Sequence, residues 1–364
     1  MTTPRSASPP SPRDRKGFGG HGGYGGHRGA PPATPKFAAI DLGTNNCRLL
    51  VASPRGPAGP GPMGPGGFRV VDAFSRIVRL GEGVAATGRL SEDAMDRTVA
   101  ALSVCAQKMR QRGVTHSRSI ATQACRLAEN GPEFLDRVEA ETGLVFDLIT
   151  PQEEAALAAQ GCTDLIAEDA EAVCVFDIGG GSTEMSWQRI EDGRPRTVAW
   201  TSFPFGVVTL AERHGGREVS RGDYEEMIAH VARQVEAFVE AAPIREAWGG
   251  GRAHLIGTSG TVTSLAGVKM RLPRYDRRSV DGAWITAEEA AEVSEDLRSM
   301  GFDHRCSEPC IGPQRADLVV PGCAILEGIM RVWPSDRIRV GDRGLREGML
   351  IEMMEAARGN SARS

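Results

Sequence analysis

The sequence predicts an α/β protein of two related lobes facing each other across a cleft. Two observations carry that expectation. Apolar, strand-like runs alternate with amphipathic helical patterns along most of the 364 residues, the signature of layered α/β architecture. An Asp-x-Gly turn also occurs twice after an apolar strand, at Asp41-Leu42-Gly43 and, 136 residues later, at Asp177-Ile178-Gly179.

The elements follow in order. FAAIDLG and CRLLVA read as strands, and FRVVDAFSRIVRLG continues the sheet. Ser91 is expected to cap a helix reaching Arg112, because Met95, Val99, Leu102, Ala106 and Met109 recur at steps of four and three. HSRSIATQACR reads as a strand ending in a loop, PEFLDRVEAETG as a helix and VFDLIT as a further strand. In TPQEEAALAAQG, Thr150 suits the N-cap, Pro151 the first helical position, and Glu153 completes a capping box. The second half restates the theme: AVCVFDIGGGSTEMSW is strand, Gly-rich turn and strand, and AHLIGTSGTVTSLAGV is strand, turn and helix. SRGDYEEMIAHVARQVEAFVEAA and the more apolar RADLVVPGCAILEGIMRVW read as helices, the latter mostly buried. DRIRVGDRGLREGMLIEMMEAA closes with a strand and a last helix.

Composition narrows the function classes. With 40% hydrophobic residues and a net charge of −4, overall charge does not advertise a polyanion partner, so any phosphate site must be local. None of the eight cysteines forms a C-x-x-C pair, and they read as small buried hydrophobes in a reducing compartment. No stretch approaches the roughly 18 apolar residues of a membrane span, and the first 35 lack the apolar core of a signal peptide. A cytoplasmic location without membrane contact is therefore expected. Residues 1–35 are rich in Gly, Pro and Arg and should form a disordered tail. Its Gly/Arg/aromatic character could touch RNA or polyphosphate weakly, although a merely solvated tail is the favoured reading. SPRGPAGPGPMGPGG at 53–67 reads as a long loop between strands.

Three turns carry the chemistry. In the first, Gly43 permits a tight turn whose amides can meet a phosphate, Thr44 and Asn45 add donors, and Asp41 suits a hydrated cation; an ordinary hairpin would present the same residues. The second, Asp177-Ile178-Gly179-Gly180-Gly181-Ser182-Thr183-Glu184, is more telling. Three consecutive glycines pack nothing and are entropically costly, so close approach of a ligand to the backbone is the natural compensation. Ser182 and Glu184 share one strand face, and Asp177 with Glu184 could hold Mg²⁺ partly through water. The third turn, Gly257-Thr258-Ser259-Gly260-Thr261, opens a helix and reads either as an anion site or simply as a good cap.

These segments together resemble the exopolyphosphatase/guanosine pentaphosphate phosphohydrolase (Ppx/GppA) family of the actin-like ATPase and sugar-kinase superfamily. The resemblance rests on AIDLGTNNCRLL, RLGEG, ATQACRLAEN, ITPQEEAALAAQG, VFDIGGGSTEM, LIGTSGTVTSLAG and DRGLREGML, which run in the family's order over about residues 36–356. It implies two ribonuclease H-like lobes around a central cleft. Lobe I would span 36–165, completed by a C-terminal helix at 343–358, and lobe II would span 166–342.

The resemblance also implies roles. Glu154 would be the general base that activates water, Asp177 and Glu184 would assist at the metal and the water, and Arg126 would pair with phosphate oxygens. The loops at Gly43, Thr44 and Asn45 and at Gly179, Gly180, Gly181 and Ser182 would cradle phosphates; the residues themselves add Gly257, Thr258, Ser259 and Gly260 as a candidate further anion site. Asp41, Asp177 and Glu184 would hold Mg²⁺ (or Mn²⁺). The implied reaction is release of terminal phosphate from inorganic polyphosphate or guanosine pentaphosphate (pppGpp), and a homodimer is a family-level expectation. From the residues alone, Glu154 could merely complement its helix dipole and Arg126 could be a surface ion-pair partner. Asn46 stands where the family often has Ser. Longer members carry extra helical domains, so short polyphosphate or pppGpp is the expected substrate here. A sugar-kinase or actin-like ATPase and a non-catalytic polyphosphate or nucleotide sensor are the competing readings. The E-E-A helix argues against the first, and the joint presence of Glu154, Asp177 and Glu184 against the second.

Overall fold

A computed structural model describes residues 34–55, 67–241, 252–333 and 335–361. Most of the expected N-terminal tail and of the loop at 53–67 lies outside these described residues.

The first sheet contains β1 (Phe37–Leu42), β2 (Asn46–Pro54), β3 (Phe68–Ile77), β4 (His116–Ala121) and β5 (Asp147–Leu148), in the order β3-β2-β1-β4-β5. The β1–β2 and β2–β3 pairs are antiparallel, whereas β4 runs parallel to β1. The second sheet repeats that plan with β6 (Ala172–Ile178), β7 (Thr183–Glu191), β8 (Arg194–Phe203), β9 (Ala253–Thr258) and β11 (Arg337–Gly341), and adds the edge strand β10 (Trp284–Thr286). Its order is β10-β11-β9-β6-β7-β8. Two antiparallel hairpin strands on one side of a central strand, and parallel partners on the other, thus occur twice.

Burial explains why β1 lacks polar alternation. Ala38, Ile40 and Leu42 enter a core with Met95, Val99 and Leu102 of the helix Glu92–Arg112. Phe37 and Ala39 enter another, formed by Leu157 of the helix Pro151–Gly161 and by Leu345, Met349 and Leu350 of the last helix, Leu345–Ser361. Both faces are covered, so every second residue need not be polar. The C-terminal helix therefore returns to the first sheet, as the family resemblance implies. It crosses the helix Pro151–Gly161 at very short range: a Cβ on Gly161 would lie 2.1 Å from the Gly344 carbonyl oxygen, and one on Gly348 would lie 2.2 Å from that of Leu157.

Pro151–Gly161 also touches the second lobe, because Ala159 packs with Val173, Val175 and Ile256. The element carrying Glu154 is thus wedged between the sheets. Its start matches expectation in detail: Thr150 Oγ1 accepts from the Glu153 N–H, and the Glu153 carboxylate accepts from the Thr150 N–H. Ser91 likewise caps Glu92–Arg112.

Some elements differ from expectation. The stretch after β4 forms a short helix, Gln123–Leu127, where a loop was expected. VFDLIT contributes only the two exposed residues of β5, since an edge segment that buries little gains little from a longer ladder. The strand β8 and the helices Val207–His214 and Ala287–Ser299 were not read from the sequence. Seven of the eight cysteines are buried, all are free thiols, and Cys306 is half-buried. Among the described residues no helix is long and apolar enough to cross a membrane.

Candidate active site

Each lobe presents its Asp-x-Gly turn to the other. A Cβ on Gly180 would meet the Thr44 Cβ at 3.0 Å and the backbone nitrogen of Asn45 at 3.2 Å. A larger residue would crowd the facing turn. The carbonyls of Gly179 and Gly180 accept from the N–H groups of Val207 and Val208, at 3.0 and 2.7 Å, at the start of the helix Val207–His214. With its carbonyls engaged there, the turn leaves the N–H groups of Gly180, Gly181 and Ser182 without a protein acceptor among the described residues. The N–H groups of Thr44 and Asn45 are likewise free of one. All five residues line a cleft of about 110 Å³. Amides gathered in this way form an anion-binding concavity.

Four carboxylates belong to the same site. Asp41 and Asp177 end the central strands β1 and β6, Glu184 is the register partner of Asp177 on β7, and Glu154 opens the wedged helix. Asp41, Glu154 and Asp177 line the cleft directly. Glu184 is buried, and its Oε1 accepts from Ser202 Oγ at 2.7 Å. Glu154 is buried too, and its Oε2 accepts from Arg126 Nη1 at 2.9 Å.

Such crowding shifts every acid upward. Desolvation, reinforced by the Glu184 charge, raises Glu154 well above the usual carboxylate range despite the opposing Arg126. The same two causes push Asp177 up to about 7, against the pull of Arg48. Asp41 and Glu184 are raised as well, chiefly by desolvation. Several buried acids with this little compensation are costly to ionise together, a cost that a cation in the site would offset.

Metal fit follows from the donors. The buried side-chain oxygens Oδ1 of Asn45 and Asn46 have no partner, and with Asp41 and Asp177 they form a hard, all-oxygen set that suits Mg²⁺. The carboxylates of Asp41, Asp177 and Glu184 do not converge within 4.8 Å of one another. A hydrated ion touching them partly through water therefore fits better than a dehydrated one. His214, Asp223 and Glu226 do converge to that extent, but none of them lines the cleft.

The cleft opens into a second pocket of about 440 Å³, sharing Asp41, Arg48, Asp177, Ser259, Gly260 and Arg315. This pocket is basic, with Arg48, Arg277, Arg315, Arg343 and Arg346 in its lining. Arg277 pairs with Glu347 and Arg343 with Asp281, whereas the side chains of Arg48 and Arg346 form no salt bridge or hydrogen bond among the described residues. Among the described residues the Arg315 side chain donates only to Ser264 Oγ, at 3.3 Å, and burial together with the Arg48 charge lowers its pKa. A polyanion would relieve both.

The third turn is divided. Ser259 caps the helix Gly260–Lys269 through Oγ, at an unusual φ of 128°, and Ser259 and Gly260 line the cleft. Thr258 borders the basic pocket but donates its hydroxyl to the Arg343 carbonyl at 2.6 Å. Gly257 lies off the cleft, where its missing Cβ makes room for the Phe176 ring at 2.6 Å. Arg126 also departs from expectation. Its Nη1 holds Glu154 and the Ile149 carbonyl, and it borders a separate open groove with Leu127 and Trp200 instead of the phosphate cleft.

Sequence reasoning missed Arg48, Arg315 and Ser202. For Arg48 a signal existed: it follows Asp41 by the same seven residues that separate Glu184 from Asp177, and each pair is in register across its hairpin. Arg315 and Ser202 carried no comparable mark.

Known proteins resemble this chain over most of its length. Residues 63–357 match the Ppx/GppA phosphatase family. Exopolyphosphatase 2 of Mycobacterium tuberculosis is 29% identical over 338 residues, covering 88% of this chain and 99% of that protein. The crystal structure of the Aquifex aeolicus Ppx/GppA family member is 26% identical, with a TM-score of 0.71 over 89% of this chain and 98% of that one. An exopolyphosphatase from Cytophaga hutchinsonii, 22% identical with a TM-score of 0.76 over 88% and 98% of the two chains, attests the shared fold. With two duplicated lobes closing amide-rich turns on a cleft of buried acids, and a match over most of its length, the chain belongs to the Ppx/GppA phosphatase family.

Proposed function

We propose that this protein is a Mg²⁺-dependent hydrolase that releases the terminal phosphate of inorganic polyphosphate or pppGpp, with Glu154 as general base. One observation supports this reading above the others: Glu154 lines the same cleft as Arg48 and Arg315, and these arginines continue into the adjoining basic pocket, which Glu154 does not line. In-line displacement needs a base for the water and charge for the leaving group, and Glu154 and the arginines are chemically suited to those two roles.

The terminal phosphate sits between the amides of Thr44 and Asn45 and those of Gly180, Gly181 and Ser182. Asp41, Asp177 and Glu184 would hold Mg²⁺ (or Mn²⁺), which would supply neutralising charge at the phosphate oxygens. Arg126 orients the Glu154 carboxylate and favours its ionised form against the burial that opposes it. As the water oxygen bonds to phosphorus, Glu154 takes its proton and the bridging P–O bond breaks. The shortened chain leaves with its new charge beside Arg48 and Arg315, while orthophosphate remains to be released. Positioning and charge neutralisation carry the rate, so no covalent intermediate on the protein is needed.

Phosphate release from polyphosphates of defined length, pppGpp and ATP in the presence of Mg²⁺ tests this reading, with Glu154→Gln as the comparison. Preference for polyphosphate or pppGpp and a severe loss in the variant are expected. Equal activity of the two proteins would remove Glu154 as the base, and turnover confined to ATP would return the kinase-like reading.

A further inference from the structure

Residues 79–83, the RLGEG segment, line neither the cleft nor the basic pocket. Their backbone is nevertheless tied to the first phosphate turn. The N–H groups of Val78 and Arg79 donate to the Asn45 carbonyl at 2.9 and 3.1 Å, and that of Gly81 donates to the Thr44 carbonyl at 2.8 Å. A Cβ on Gly81 would meet Thr44 Cγ2 at 2.3 Å. Because the Thr44 carbonyl shares its peptide plane with the Asn45 N–H, the bond from Gly81 fixes the orientation of an amide that faces the cleft.

The same residues reach across to the second lobe. Arg79 Nη2 bonds the Asp317 carboxylate at 3.1 and 2.9 Å, and the Gly83 N–H donates to Glu212 Oε1 at 2.8 Å. Asp317 stands two residues from Arg315, and its own loop is pinned where the buried Arg305 donates to the Ala316 carbonyl at 3.0 Å. Glu212 belongs to the helix Val207–His214, whose first N–H groups orient Gly179 and Gly180. Arg79 itself adopts φ 50°, a left-handed conformation that a non-glycine residue keeps only where its surroundings hold it.

We propose that residues 79–83 act as a strap that couples lobe closure to assembly of the phosphate site, with Arg79 and Asp317 as its positioning pair. One anchor holds the first amide turn, and the others hold the loop of Arg315 and the helix that sets the second turn. Closing the strap therefore brings three parts of the site into place together, and neither Arg79 nor Asp317 touches the substrate. The proposal draws on the phosphohydrolase reading only for the step that is affected.

The experiment uses the intact chain, inorganic tripolyphosphate as substrate, and small-angle X-ray scattering of the free protein. Arg79→Ala and Asp317→Asn are each expected to enlarge the radius of gyration and to lower kcat/KM about tenfold, within the usual range of couplings between sites. Their losses should not add, and Arg79→Asp combined with Asp317→Arg should recover most of both signals, since Asp tolerates the left-handed backbone at position 79. Arg79→Lys, which keeps the charge, should retain most of the activity lost in Arg79→Ala even where the exchanged pair folds poorly. Wild-type scattering in both single variants overturns the strap, as does an Arg79→Lys variant no better than Arg79→Ala. Scattering requires no turnover, so a chain inactive on tripolyphosphate would defeat the functional reading while still deciding this one.

Discussion

Nη1 of Arg126 donates a 2.9 Å hydrogen bond to Oε2 of Glu154 and holds the Ile149 carbonyl with the same nitrogen at 2.8 Å. The arginine is thereby anchored to the strand-to-helix connection that presents the acid. Its charge opposes the desolvation and the Glu184 repulsion that raise the Glu154 pKa.

A base must be ionised to accept a proton, so kcat/KM should climb with pH through an apparent pKa above the ordinary glutamate range. Glu154→Gln should lower kcat by about 10²–10⁴-fold with a smaller change in KM, the usual contribution of a positioned base. Arg126→Ala removes the charge that favours the carboxylate, so the rising limb should move to higher pH. Rate measurements from pH 5 to 10 on tripolyphosphate check both. An unshifted limb in Arg126→Ala would separate the pair functionally.

Asp177 should cost stability where it is ionised. Its folded pKa of about 7 lies above the ordinary value of 3.8, so the native state binds the proton more tightly than the unfolded chain does. Below pH 4 both states are protonated and the site costs nothing. As pH rises from 4 to 7 the unfolded chain ionises first, and above 7 the native state bears the full cost. Asp177→Asn should therefore raise the melting temperature by about 3–5 °C at pH 8 in metal-free buffer, with the gain vanishing toward pH 4, while activity falls. Thermal melts at the two pH values decide it.

Arg48 and Arg315 should govern the grip on the leaving chain. Replacing either with Ala removes a charge-assisted contact, which typically weakens binding by about 1.5–3 kcal/mol. KM should rise roughly 10- to 100-fold on that basis. The loss should already appear with tripolyphosphate, because both arginines line the cleft itself as well as the basic pocket. KM for tripolyphosphate provides the check.

Gly206→Ala tests how the second amide turn is held. The new Cβ would lie 2.5 Å from both the carbonyl carbon and oxygen of Gly180 and 2.6 Å from the Gly179 oxygen. Backbone cannot yield as a side chain can, so a destabilisation of about 1–3 kcal/mol is expected. A simultaneous loss of kcat should accompany it, because the amides facing the cleft are displaced. Denaturant unfolding alongside phosphate release measures the two effects.

Whatever is encoded by neighbours in the chain could be read before the fold was seen. The capping box at Thr150 and Glu153, the Gly-rich turn after Asp177, the stripe of Met95, Val99 and Leu102, and the repeated Asp-x-Gly turn each follow from backbone geometry over a few residues. Even the placement of Arg48 opposite Asp41 was implicit in a repeated spacing of seven.

Tertiary structure decided the rest. No local pattern brings Arg79 to Asp317, 238 residues away, leaves Arg315 beside an unpaired Arg48, or turns Arg126 from the phosphate cleft toward Glu154. The division of Gly257, Thr258, Ser259 and Gly260 between packing, capping and cleft is equally invisible, because a glycine before a helix has the same sequence whether Phe176 or a phosphate fills the space beside it. Local sequence specifies backbone conformation, whereas burial, charge and partnership arise only when distant segments exclude water from one another.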